Sequence, residues 1–184
     1  MRPAALLVVV SVLGMFAAGP AAAPAAAGTL DSRRCEWAFD LNYTGSNGGS
    51  SSTTDVRFAW GYLIGAGYSE LGLNGTYQRV KDDRFSDPDT SLSIVGPFYT
   101  WNWTPRATRA TGLVTIGAGA VAGDFSDIYD YSLEGSIGVK LFVGDSAAVT
   151  ARYFFQSLGS NSAYGDSEQL TGLAIGIALY TNRK

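Results

Sequence analysis

Any catalysis in this 184-residue chain would have to come from carboxylates, hydroxyls and a few cations, because it contains no histidine and a single cysteine, Cys35. Without an imidazole, a Ser–His–acid arrangement is impossible, and a zinc site loses its usual ligands. A carboxylate pair can hydrolyse a glycoside, but no spacing here suggests one. The ionisable residues that stand out are three acids, Asp40, Glu70 and Glu134, and three bases, Arg57, Lys140 and Arg152. Each falls in the same phase as small or polar neighbours within a segment of alternating character. If that phase faces an enclosed interior, the charges must be paired or hydrated. They are therefore read as an ion-pair network, with Asp40, Arg57, Glu134 and Arg152 in one tier and Glu70 meeting Lys140 in another. Neutralising Arg152 would leave an acid unpaired and destabilise the fold.

Other chemistry is weaker. The stretch Asp82-Asp83-Arg84-Phe85-Ser86-Asp87-Pro88-Asp89 is rich in hard-ion ligands, yet it lacks the spacing, glycine and terminal glutamate of a calcium loop. It reads as a solvated acidic loop. Asn42, Asn74 and Asn102 begin N-x-Thr triplets, but within strand-like segments, so they are chance matches to the glycosylation pattern. One cysteine cannot form an internal disulfide, and Ser32-Arg33-Arg34 before it is unlike a lipoprotein cleavage site, so Cys35 is expected as a free thiol. The net charge of −3 and the absence of a basic stripe argue against nucleic acid. No cofactor and no metal site is expected.

Residues 1–27 have the order of a secretory signal. Arg2 is followed by an apolar run, Ala4 to Ala18, then Pro20 and Ala-rich sequence. The run is shorter than the roughly 20 residues that span a bilayer as a helix, so it is read as removed, with cleavage after Ala23 or Ala27. Residues 28–34 then form a short lead-in, and 35–184 the folded domain. Hydrophobic residues make up 46% of the chain, while mean hydropathy is near zero. That combination fits strands with only one greasy face.

Stepping along the chain, the side-chain period is two. Trp37, Phe39, Leu41 and Tyr43 fall on one face, and Glu36, Ala38, Asp40 and Asn42 on the other. This is strand periodicity, and it recurs over 35–45, 54–65, 68–81, 91–103, 110–122, 130–143, 146–157 and 169–180. The fourth segment changes phase: Leu92 and Ile94 share one face, Tyr99, Trp101 and Trp103 the other, with Gly96-Pro97 between. Proline marks edges and bulges, so a phase-resetting bulge is expected there. The small residues of 110–122 specify register weakly. Links alternate, long at 46–53, 82–90, 123–129 and 158–168, short at 66–67, 104–109 and Gly144-Asp145. Acids concentrate in the long links; Arg33, Arg34, Arg106, Arg109, Arg183 and Lys184 lie towards the other end. That reflects either a sided topology or simply charged surface loops.

These features predict an all-β, eight-stranded antiparallel up-and-down transmembrane β-barrel, with both termini and the short turns periplasmic. Glycine and alanine suit a crowded interior better than a water-washed strand face. Trp37, Tyr43, Tyr68, Tyr77, Trp101, Trp103, Tyr131 and Phe155 sit near strand ends, as an aromatic girdle at the headgroup level would. In lipid no sheet edge can stay open, so the first strand must pair with the last.

The segment Glu134-Gly135-Ser136-Ile137-Gly138-Val139-Lys140-Leu141-Phe142-Val143-Gly144-Asp145, followed by Ala148-Val149-Thr150-Ala151-Arg152-Tyr153, resembles the sixth and seventh strands of the small outer-membrane β-barrel proteins of the OmpA/OmpX type. One departure is the C-terminus. Such proteins usually end on an aromatic residue, whereas here Tyr180 precedes Thr181-Asn182-Arg183-Lys184 and falls in the interior phase unless the strand end bulges. The resemblance implies a monomer in the bacterial outer membrane of a Gram-negative envelope, in contact with lipid and lipopolysaccharide and inserted by the barrel assembly machinery. It implies a non-enzymatic role in envelope integrity, structure or adhesion, with an extracellular partner meeting the long loops. Enzymatic barrels of this kind rely on a histidine that this chain lacks. A small pore or passive transport protein, and a soluble periplasmic lipocalin-like carrier, are the alternatives.

Overall fold

The computed structural model describes residues 30, 33–45, 51–82, 89–106, 109–124, 126–160 and 167–182. Eight strands follow one another: β1 Arg33–Gly45, β2 Ser51–Ile64, β3 Ser69–Asp82, β4 Asp89–Asn102, β5 Ala110–Gly123, β6 Tyr131–Gly144, β7 Ala147–Gly159 and β8 Glu168–Asn182. Each pairs antiparallel with its neighbours in sequence, and β1 pairs with β8 to close the barrel. β1 begins two residues earlier than the sequence pattern suggests, so Arg33 and Arg34 belong to the wall rather than to a lead-in.

Alternation decides which way each side chain faces. Along β1, Glu36, Ala38, Asp40 and Asn42 are buried and Trp37, Phe39 and Leu41 exposed. Along β8, Ala174, Ala178 and Tyr180 are buried while Leu173, Ile175, Ile177 and Leu179 are exposed. The large apolar residues thus coat the outside.

Strand stagger follows from the pairing. Ala120 faces Val95, which leads through Gly75, Phe58, Phe39, Ile177, Val149 and Leu141 to Ala110, ten residues back along the starting strand. With about 4.8 Å between strands and about 3.3 Å rise per residue, that stagger tilts the strands about 40° from the axis. Strands of 13 to 15 residues exceed the roughly 9–11 needed to cross a bilayer at such a tilt.

The turns at 65–68 and 145–146 and the described residues 103–106 and 109 share one end of the barrel with Arg33 and Asn182, and the strand ends Gly45, Ser51, Asp82, Asp89, Gly123, Tyr131, Gly159 and Glu168 share the other. The first short turn takes Gly65, Ala66 and Gly67 through positive φ (61°, 58° and 87°). Gly67 also needs to lack a side chain, because a Cβ there would stand 2.7 Å from that of Leu30. The hairpin between β6 and β7 turns on Asp145-Ser146, with an irregularity between Phe142 and Gly144.

One expectation from the sequence changes. No bulge resets β4: the β3 register runs unbroken through Gly96 and Pro97, and the β5 offset is the same on either side of them. Pairing to β5 is merely interrupted at these two residues, since proline has no N–H to donate. Gly96 leaves room for the Ala118 carbonyl. Leu92, Ile94 and Phe98 therefore face inward and Val95, Tyr99 and Trp101 outward. Tyr180 keeps its expected interior phase, opposite Glu36.

Candidate functional site

The interior is filled in layers. At the short-turn end Leu30, Leu63, Phe142, Ala148, Ala178 and Tyr180 form an apolar plug. Leu30 is drawn across that mouth by its backbone N–H, which donates to the Pro105 carbonyl at 2.8 Å. Arg33 is fully buried there. Its guanidinium lies 4.1 Å from the Tyr180 ring centroid and 5.0 Å from that of Phe142, and donates to the Gly144 carbonyl. An aromatic face is a favourable partner for a cation withdrawn from water.

Above the plug is the first ionic tier. Lys140 on β6 bonds Glu36 on β1 and, at 3.2 Å, Glu70 on β3. All three side chains are at most 4% exposed. The second tier pairs Arg57 on β2 with Glu134 on β6, and Arg152 on β7 with Asp40 on β1. Thr150 donates to Asp40 at 3.1 Å. With its amide turned so that both atoms find partners, Asn74 accepts from Arg57 at 2.7 Å and donates to the Gly96 carbonyl at 2.8 Å. Small residues make the room: a Cβ on Gly61 would overlap the Glu70 carboxylate, and one on Gly176 would overlap Asp40.

Higher still lies an uncharged polar layer with one acid in it. Asn42 donates to Asp55 at 2.7 Å, Gln78 to Gln156 at 2.8 Å, and Gln156 to Ser132 at 3.0 Å. Leu92, Ile94, Tyr129 and Leu158 close the long-link end, with Val121 and Leu170 against them. Cavities interrupt the packing, among them one of about 30 Å³ in the second tier and polar layer and one of about 20 Å³ between the two tiers. Each has room for a water or two.

The structure brings together all six ionisable residues read from the sequence: Asp40, Arg57, Glu134 and Arg152 in one tier, Glu70 and Lys140 in the other. Glu36 joins them as a second acid on Lys140. Its interior phase is visible in the sequence, beside Ala38 and Asp40, although it is not among the six. Asn42, Asn74 and Asn102, the three glycosylation-like asparagines, are all buried. The acidic stretch at 83–88 lies outside the described residues. Among the described residues no cluster of three or more His, Cys, Asp or Glu is placed to hold a metal, and Cys35 is a free thiol.

On the outside, Trp37, Tyr68, Trp101 and Trp103 ring the short-turn end, and Tyr77, Tyr131 and Phe155 the other, all at least 40% exposed. The side chain of Tyr43 lies outside the described set. With the strand tilt, the two rings stand about 20 Å apart along the axis. The wall between them carries Phe39, Leu41, Leu71, Leu73, Ile116, Ile137 and Ile175. At the long-link rim, Ser91 on β4 donates its backbone N–H (2.8 Å) and hydroxyl (3.0 Å) to Asp124, whose own N–H donates back to Ser91. These donors hold the Asp124 carboxyl below its ordinary value.

No protein-family model matches this chain, and no curated protein sequence does. Among solved structures, it is similar to a de novo designed transmembrane β-barrel at 15% identity and a TM-score of 0.48, over 80% of this chain and 95% of that one. It is also similar to neisserial surface protein A, at 16% identity and 0.48 over the same shares. A bacterial polysaccharide outer-membrane secretin aligns at 13% identity and 0.39, over 82% of this chain and 52% of that chain.

Proposed function

We propose that this protein is an integral, non-enzymatic barrel of a Gram-negative outer membrane. Its role would be structural or interactive, through envelope integrity, surface contact or adhesion. One observation carries the reading: charge is inside and grease is outside. Burying Lys140, Glu36 and Glu70 while leaving Ile175 58% and Leu73 56% exposed inverts the partition of a water-soluble barrel. Contiguous apolar surface on that scale needs a cover, and a belt flanked by aromatic rings matches the apolar band of a bilayer. Closure of β1 onto β8 removes the edge that lipid would not tolerate.

The same arrangement disfavours the alternatives. A lipocalin-like carrier needs an apolar internal pocket, and this interior is tiered with ion pairs. A pore needs a water path, and this axis is closed by apolar layers at both ends. Interaction with a surface partner therefore falls to the long links at 46–53, 82–90, 123–129 and 158–168. Lipid and lipopolysaccharide would meet the wall, and the assembly machinery would insert it after removal of residues 1–27.

The test is to express the full chain, fractionate membranes, and run unheated and boiled samples on a gel. A membrane-embedded barrel partitions with the outer membrane and migrates faster unheated. Recovery in the soluble periplasmic fraction would overturn the proposal, and steady currents across planar bilayers would replace the structural role with a pore.

A further inference from the structure

The polar layer contains an arrangement that the ion-pair tiers do not use. Asn42, Asp55 and Gln78 are direct cross-strand neighbours on β1, β2 and β3. All three face inward, and all three line the 30 Å³ cavity. Such neighbours have Cβ atoms about 5 Å apart. Their exposures are 8%, 6% and 2%. Each presents a buried oxygen with no hydrogen-bond partner: Asn42 Oδ1, Asp55 Oδ1 and Gln78 Oε1. Asn42 Nδ2 donates to the other Asp55 oxygen, a carboxylate that only accepts, and Gln78 Nε2 donates to Gln156. In this orientation both carbonyl oxygens are left over.

Buried polar atoms are seldom left unsatisfied, and three unsatisfied acceptors around one cavity ask for a donor or a cation. The charges point to a cation. Around this cavity Arg57 is bound to Glu134 and Arg152 to Asp40, which leaves Asp55 as the acid without a cationic partner. Arg152 Nε is an unpartnered donor on the same cavity, but its guanidinium is already bound to Asp40.

We infer that this cavity binds a monovalent alkali cation, of sodium or potassium size, coordinated by Asn42 Oδ1, Asp55 Oδ1 and Gln78 Oε1 with water completing the shell. A hard ion prefers carboxylate, carbonyl and water oxygens. One charge matches the single unbalanced carboxylate, whereas a divalent ion would add an excess charge beside two arginines. The volume suits one ion and one water. This site does not rest on the membrane reading, since it lies wholly inside the barrel.

The test uses the full mature chain folded in zwitterionic micelles at neutral pH, in sodium, potassium or choline chloride at equal ionic strength. Choline is too large for the cavity. The unfolding midpoint should rise by about 3 °C or more in an alkali salt relative to choline. That difference should vanish in Asp55→Asn and shrink in Gln78→Met, which keeps the charge and removes one ligand. For the unaltered protein, ²³Na relaxation should show a saturable site with one ion per barrel, a readout that survives if either variant fails to fold. Equal midpoints in all three salts with no saturable ²³Na signal would overturn the inference and leave water or a proton on Asp55 as the occupant. Stabilisation by calcium but not by sodium or potassium would overturn the monovalent assignment.

Discussion

Replacing Lys140 by methionine tests the ionic interior most directly. The change nearly conserves volume, so little of its effect comes from a cavity. It strips Glu36 and Glu70, whose side chains are 4% and 3% exposed, of the cation they share. Two carboxylates would then share a water-poor space between the apolar plug and the second tier. Breaking a buried pair by removing one partner costs about 3–5 kcal/mol. With a urea dependence of about 2 kcal/mol per molar, the unfolding midpoint should fall by about 1.5–2.5 M. The assay is urea titration of the barrel refolded in micelles or thin bilayers, followed by tryptophan fluorescence and by gel mobility without boiling. The triple variant Glu36→Gln, Glu70→Gln, Lys140→Met is the control, because it removes both acids together with the base. It should return to within about 1 kcal/mol of the parent. If Lys140→Met alone leaves the midpoint within about 0.5 M of the parent, the lower tier is not a desolvated ion cluster. If the triple variant is as unstable as the single one, the loss is packing rather than unpaired charge.

Three further outcomes are expected. Gly61→Ala puts a Cβ into the Glu70 carboxylate and should cost about 1–3 kcal/mol by overpacking; its effect should be non-additive with Lys140→Met, since both act on one carboxylate. Ile175→Arg, on the outer wall between the aromatic rings, should cost about 2–4 kcal/mol in a bilayer, while Gln169→Arg near the rim should be close to neutral; equal, negligible costs would contradict a lipid-facing wall. The Ser91–Asp124 clasp should depend on pH. Its folded carboxyl lies below the ordinary 3.8, so its contribution is present above that value and is lost as pH falls through the lower folded one. Hydrogen exchange at the Ser91 amide should quicken beyond its intrinsic rate as pH falls below the ordinary carboxyl range, and Asp124→Asn should abolish the step.

How far the sequence could be read follows from which signals are local. A period of two is local: Trp37, Phe39 and Leu41 against Glu36, Ala38 and Asp40 give strand, faces and strand number without any partner in view. The ionic tiers were legible for the same reason. Once Asp40, Arg57, Glu70, Glu134, Lys140 and Arg152 share an enclosed phase, charge pairing must bring them together. The misreading of β4 came from assuming that every large apolar side chain faces outward. Leu92 and Ile94 obey the period and break that assumption, because a barrel closed at its ends needs apolar residues inside as well. Tyr180 keeps the interior phase its position implies, and it is the ring on which the buried Arg33 rests. Leu92 and Ile94 lie towards one mouth of the barrel, where a one-dimensional pattern carries no depth. Leu30 lies beyond any pattern: it is a single residue outside the strands, placed by the Pro105 carbonyl and by the missing side chain of Gly67. A closed barrel therefore writes its middle into the sequence as alternation, and its ends only in contacts between residues far apart along the chain.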